Sequence, residues 1–438
     1  MRRILFGSSR QHHDVAQAAR QGSPPARPSP DAAETESAGK LPADAGKNVP
    51  LLYFARALRG FGDGFAVIIL PAYLSAVGFT PAEIGIVASA SLFGTALFTL
   101  AVGFAAPRHD LRTFLLAGAA LMIATGLAFA NVRQFALLAL VAFVGTINPS
   151  TGDIGVLIPI EHAMLARNAP DDRRTRTFAR YSLIGALSMA AGSLAAAMPD
   201  LLRRFGLDAI AGYELMFYLY AAFGLASAGV YAVLPHAKMH ERAAAPLAQS
   251  RRVVYTLAAL FSVDAFAGGF VVQSLMVLWL FQRFDMSLTA ASMFFFWTSV
   301  FSAFSYPVAA RIADRIGLVN TMVFTHIPSS LFLIGAAFAP NLTTALVLLL
   351  ARAALSQMDV PTRTSYVMAV VTPEERPAAA SVTAVPRSLA SALSPTLGGI
   401  LLAGAFSGWP LVIGGALKIA YDLALLAAFR RVKPPEEA

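Results

Sequence analysis

The sequence predicts an all-α integral membrane protein of about twelve transmembrane helices, built as two six-helix pseudo-symmetric bundles around a central cavity. Three observations carry that expectation. Hydrophobic residues make up 57% of the chain and charged residues 13%, with a mean hydropathy of +0.62, whereas a soluble domain is about one quarter charged. The apolar residues come in blocks of about twenty, the length that crosses about 30 Å of hydrocarbon. No water satisfies the backbone at that depth, so such blocks are helical. Finally, the second half repeats landmarks of the first at an offset of about 207 positions.

Residues 1–49 are different in kind. They carry Pro24, Pro25, Pro28 and Pro30, and no apolar run longer than Ile4 to Phe6. This predicts a disordered cytoplasmic tail without the apolar core of a secretory signal. The first bundle, residues 50–234, then reads as spans at Leu51–Val77, Ile84–Ala106, Thr113–Ala130, Phe135–Leu165, Phe178–Met198 and Ala211–Leu234. A polar cytoplasmic linker, residues 235–252, carries Lys238, Glu241, Arg242, Arg251 and Arg252. The second bundle, residues 253–430, reads as Val253–Phe281, Ala290–Ala310, Val319–Ala339, Thr344–Val371, Ala378–Phe406 and Pro410–Phe429, with a short cytoplasmic tail at 431–438.

Orientation follows from Lys and Arg in alternate loops. One set holds Arg108, Arg112, Arg167, Arg173, Arg174, Arg176, Lys238, Arg242, Arg251, Arg252, Arg311, Arg315 and Arg376; the other holds only Arg133, Arg203, Arg204 and Arg283. The rich side is predicted to be cytoplasmic, and both termini lie there. The net charge of +9 is thus topological, which argues against a nucleic-acid partner. The partners expected are the lipid bilayer, a small solute and protons, for a monomer in a bacterial inner membrane.

The repeat is specific at several points. Pro107 and Arg108 lie over Asp314 and Arg315, Asp110 over Gly317, and Asp171, Asp172 and Arg173 over Glu374, Glu375 and Arg376. The stretch from Arg180 to Ser188 matches the one that starts at Arg387. Parallel repeats of this kind place a binding site between the halves, near the midplane.

The segment from Ala310 to Gly317, with Asp314 and Arg315, resembles the cytoplasmic loop signature G-x-x-x-D-R-x-G of the major facilitator superfamily. Pro395, Gly398 and Gly399 are similar to the P-x-x-G-G stretch of its eleventh helix. The resemblance covers Leu51 to Phe429. It implies that superfamily's fold, secondary transport by alternating access, and a gating role for the loop residues Asp314, Arg315, Gly317 and Arg108. Two features depart from the pattern. Pro107 stands where the first loop's signature Asp belongs, and the fifth span lacks the Gly-Pro and P-x-x-G-G steps that mark proton-coupled drug antiporters.

Chemistry is expected where ionisable residues enter the spans, because charge in hydrocarbon costs at least a few kcal/mol. In the first span, Arg59 and Asp63 are four apart and share a face, among Gly60, Gly62 and Gly64. Asp63 either binds a proton or a cationic group, or neutralises Arg59. Asp264 in the seventh span has no neighbour in sequence to pair with. Asp153 and Arg180 in the first half correspond to Asp359 and Arg387 in the second, either as bracing salt bridges or as cavity-lining groups; Arg363 lies four residues beyond Asp359. Glu161 and His162 are expected in a cytoplasmic gate with Arg173, Arg174 or Arg176. His326 reads as a packing residue.

No catalytic or phosphate-loop motif is present, and the chain has no Cys, so no enzyme activity, cofactor or metal is expected. The function expected is proton-coupled transport, with export favoured, of a drug, metabolite or organic anion. A uniporter or an uptake carrier for an organic anion is the alternative. A non-transporting receptor on the same scaffold is the reading from another class, and the tail's lack of foldable apolar content speaks against it.

Overall fold

The computed structural model describes residues 45–150, 155, 157–169, 174–237, 247–372 and 375–430. Span 1 is Ala45–Val77, span 2 Pro81–Ala105 and span 3 Leu111–Asn131. Span 4 is divided into Phe135–Val144 and Leu157–Asn168, span 5 is Arg174–Ala195 and span 6 Ala209–Val233. Span 7 is divided into Arg251–Gly269 and Gln273–Phe284; span 8 is Leu288–Ile316 and span 9 Leu318–Ala337. Span 10 is divided into Leu342–Ser356 and Asp359–Ala369, span 11 is Arg376–Leu402 and span 12 Trp409–Phe429. Span 1 begins within the stretch assigned to the tail.

Among the described residues, ten of these spans are long and apolar enough to cross a membrane, spans 7 and 10 each taken end to end. The remaining two are spans 4 and 11. Span 4 is interrupted, and Asn148 to Ser150 are non-helical, as their Asn-Pro-Ser sequence predicts. Span 11 has the length, 27 residues, but its Arg, Ser and Thr content lowers its hydropathy.

Local sequence sets the helix ends. Thr80 and Glu83 form a capping box at span 2 with Pro81 in the first turn. Asp110, Asp208, Ser287 and Asn341 cap spans 3, 6, 8 and 9's successor, span 10. Gly317 joins spans 8 and 9 at φ 84°, a conformation that favours glycine.

The packing is forked. One apolar core contains the second half of span 1 (Phe65 to Leu74), the second half of span 7 (Phe270 to Leu280) and the start of span 8, so it belongs to both bundles. At the other end, where the Lys- and Arg-rich loops emerge, two separate cores are found. One is built on Leu52, Leu115, Leu157 and Tyr231 of the first half, the other on Leu257, Met322, Tyr366 and Leu425 of the second.

Polar contacts between the bundles follow the same plan. Asp200 accepts from the backbone and hydroxyl of Thr289 at 3.0 and 2.9 Å, beside the basic-poor ends of spans 5 and 8. Ser89 on span 2 meets Thr396 on span 11 at 2.8 Å. The backbones of spans 2 and 11 touch: a Cβ on Gly399 would stand 2.3 Å from the carbonyl of Pro81, and one on Gly85 would stand 2.5 Å from that of Pro395. The P-x-x-G-G stretch therefore makes this closure. The conformation is shut at the basic-poor end and parted at the basic-rich end.

Candidate functional site

In the first half, the buried acid that Arg59 meets is Glu161, not Asp63. Span 4's second segment brings Glu161, fully buried, against the Arg59 guanidinium. Glu161 also accepts from the hydroxyl of Tyr181 on span 5 and from that of Tyr231 on span 6 at 2.5 Å. This corrects the gate assignment: Glu161 braces the inside of the first bundle. Arg174's side chain and Arg173 lie outside the described residues, and Arg176 is exposed. Arg56 lies over the ring of Tyr181 at 5.3 Å and packs against Gly185.

Asp63 is left with a different environment. Its carboxylate accepts from the Tyr220 hydroxyl at 3.2 Å, and Tyr220 contacts Thr146 at 3.0 Å. Among the described residues it has no ion pair. Asp63, Arg56, Arg59, Thr146, Asn148 and Tyr220 line a cavity of about 340 Å³, within the size range of small-ligand sites. The glycines around Asp63 serve helix contact: Gly64 faces the Met189 carbonyl of span 5, and Gly62 faces Tyr220. A separate depression lined by Leu58, Phe61, Leu187 and Phe223 holds no charged group.

In the second half, Asp264 is held from two sides. Its Oδ2 accepts from Arg363 Nη1 at 3.1 Å and its Oδ1 from Lys418 Nζ at 2.6 Å. Arg363 also pairs with Asp359 at 3.2 Å, one helical turn away, and lies over the Phe261 ring at 5.4 Å. The chain of contacts continues outward. Lys418 reaches His326 Nε2 at 3.4 Å, and His326 Nδ1 meets Asp422 at 3.0 Å. A neutral imidazole with its proton on Nδ1 satisfies both: it donates to Asp422 and accepts from Lys418. Spans 7, 9, 10 and 12 are thereby tied together by one buried network.

Two expected pairings are therefore corrected, and one acid gains partners from other spans. Arg59 and Asp63 do not bond, because Glu161 occupies the guanidinium. Asp359 takes Arg363 on its own helix instead of Arg387. Asp264, which has no partner in sequence, has two in space. Asp153 lies outside the described residues; its expected partner Arg180 is exposed and shares a helix face with the exposed Leu183 and Leu187. Arg387 is part-buried on span 11. Lys418 and Asp422 are not among the residues the sequence singles out, and His326, read as a packing residue, joins the network. The available signal was two ionisable residues four apart in the last apolar block. Arg108, Asp314 and Arg315 are exposed at the parted end, and among the described residues none of them forms an ion pair.

Two acids brace the linker at the basic-rich face. Asp110 accepts from the Ala237 amide at 2.7 Å and meets His236 at 2.5 Å. Glu375 accepts from the amides of Ala248, Gln249 and Ser250 at 2.7, 2.9 and 3.0 Å. These backbone donors, Ala248 foremost, hold its carboxyl at a pKa of about 2.

The Major Facilitator Superfamily profile matches residues 52–280 and 258–438. An uncharacterized membrane protein of Saccharomyces cerevisiae, YJR124C, is 27% identical over 423 residues, covering 88% of this chain and 94% of the relative. The nucleoside transporter NupG shares the fold at 15% identity and a TM-score of 0.69, covering 87% of this chain and 99% of that one. A D-xylose-proton symporter does so at 14% identity and a TM-score of 0.66, covering 86% and 96%. The chain belongs to the Major Facilitator Superfamily, and it is a membrane-embedded secondary transporter of that family, not an enzyme.

Proposed function

We propose that the protein couples movement of a small organic solute to a proton, with Asp63 as the coupling group. The observation that supports this is the contrast in partners. Asp63 borders the first-half cavity with one hydrogen bond and no ion pair among the described residues, whereas Asp264 is held by Arg363 and Lys418. A carboxylate between two cations is kept ionised, and one without an ion pair is free to change protonation. With the basic-rich end open and taken as cytoplasmic, Asp63 exchanges its proton with that side. Rocking of the bundles about the shared core then presents it to the other side. On the Lys/Arg asymmetry, both termini lie on the cytoplasmic side.

The sign of coupling follows from the solute's charge. A cationic or neutral solute that competes with the proton for Asp63 moves in antiport, which is export. An anionic solute moves with the proton. Arg387, which has no hydrogen bond or ion pair among the described residues, favours the second case.

The test uses proteoliposomes incubated with a metabolite mixture under an imposed pH gradient, with mass spectrometry of what accumulates. Gradient-driven accumulation should collapse with a protonophore. It should also be lost in Asp63→Asn, with exchange down the solute gradient retained. Full accumulation in Asp63→Asn would falsify the assignment.

A further inference from the structure

We propose that Arg387 binds an anionic oxygen group of the transported solute, a carboxylate or a phosphate. The proposal names the substrate class for the transport reading above and rests on it. Arg387 is eleven residues into span 11, about 16 Å from its basic-rich end. The helical period places it on the face that carries Thr383, Ser391 and Ser394. That face meets span 7, where the Ser394 hydroxyl donates to the Phe266 carbonyl at 2.5 Å. Arg387 is thus directed to the second-half network, close enough to Arg363, Asp264 and Asp359 to interact with each electrostatically.

The acids of that network are already engaged. Asp264 is taken by Arg363 and Lys418, Asp359 by Arg363, and Asp422 by His326. Among the described residues Arg387 has no hydrogen bond or ion pair, and it stands beside a second guanidinium. An unneutralised cation at this depth is unfavourable, and ionisable residues in spans are found where they pair or line an aqueous path. Snorkelling accounts for Arg180, nearer its helix end on an outer face with Leu183 and Leu187, but not for an arginine on an inner face. Arg387 retains part of its surface, and it lies in the half of span 11 nearer the basic-rich end, where the two cores separate. Its planar fork suits two oxygens of one carboxylate or phosphate.

Thermal unfolding of the purified full-length protein tests this. The probes are succinate, benzoate, inorganic phosphate and glycerol 3-phosphate, against uridine, xylose and tetraethylammonium as neutral and cationic controls. One or more anions should raise the midpoint by mass action. Arg387→Gln should raise the half-protecting concentration at least tenfold, and Arg387→Lys by less. Without ligand, Arg387→Gln should unfold at or above the wild-type temperature, since it removes an unpaired charge. Carboxylate-only or phosphate-only protection tells which group is bound. The proposal is overturned by protection confined to the controls, by no protection from any anion, or by undiminished protection in Arg387→Gln. It is also overturned if that variant without ligand unfolds well below wild type, which would mark a structural ion pair. If accumulation ignores the pH gradient while anion protection still depends on Arg387, the coupling role of Asp63 fails and the anion site stands.

Discussion

The two bundles repeat one backbone plan but distribute charge in opposite ways. In the first, the base Arg59 is bound by Glu161 within a tyrosine cage, and the acid Asp63 has no counter-ion among the described residues. In the second, the acid Asp264 is bound by two bases, and the base Arg387 has no counter-ion among the described residues. The repeat thus supplies the scaffold and its pivot, while the proposed function rests on where the repeat is broken. In the proposed mechanism, an acid that takes a proton on one wall and a cation that takes an anion on the other form an arrangement that neither bundle has by itself.

The largest effect expected is from Arg363→Gln. It removes Asp359's partner and one of Asp264's two, and leaves buried charge uncompensated, at a cost of about 3–5 kcal/mol. Size-exclusion profiles of the expressed variant should show little folded protein; a well-folded Arg363→Gln would break the claim that the second half is locked.

Glu161→Gln comes next. It leaves Arg59 without its acid, with an expected loss of about 3 kcal/mol. Asp63→Asn keeps the Tyr220 hydrogen bond and should cost less than about 1.5 kcal/mol. Unfolding midpoints of the two variants side by side sharpen the comparison, and a reversed order contradicts it.

The two ends of the molecule differ as well. Gly399→Ala forces apart the backbones of spans 2 and 11, an overpacking effect of about 1–3 kcal/mol. It should also shift the population toward opening at the basic-poor end. Because the chain has no Cys, spin labels at single introduced cysteines can report this: the distance between positions 200 and 289 should lengthen. An unchanged distribution would mean that this contact does not hold the end shut.

The smallest effect is local to the linker. Glu375 has its pKa held at about 2, so its contribution is complete above the ordinary carboxylate range, near pH 4.5, and is lost as pH falls toward 2. Hydrogen exchange at Ala248 to Ser250 should be protected at pH 6 and accelerate relative to neighbouring amides on acidification. Equal protection throughout would remove the latch.

Much of the fold was legible because apolar block length, loop charge and internal repeat are local or one-dimensional signals. Even the Pro395–Gly399 motif turned out to mark a backbone contact. The pairings were not legible, since they depend on how each helix is rotated against its neighbours. Spacing puts Arg59 and Asp63 on one face, but the break in span 4 delivers Glu161 to the same guanidinium. The symmetry that aligns Arg180 with Arg387 holds in sequence and fails in placement, one facing outward and the other facing span 7. Lys418 and Asp422 were readable as charges in an apolar block; their union with His326 and Asp264 requires three other spans.

The most direct test of the central claim is which carboxyl changes protonation. Infrared difference spectra of the purified protein, recorded as pH is lowered, should show a protonated carboxyl band in the wild type that disappears in Asp63→Asn. If the band persists unchanged in Asp63→Asn, the proton is carried elsewhere and the contrast between the two bundles is not the basis of coupling.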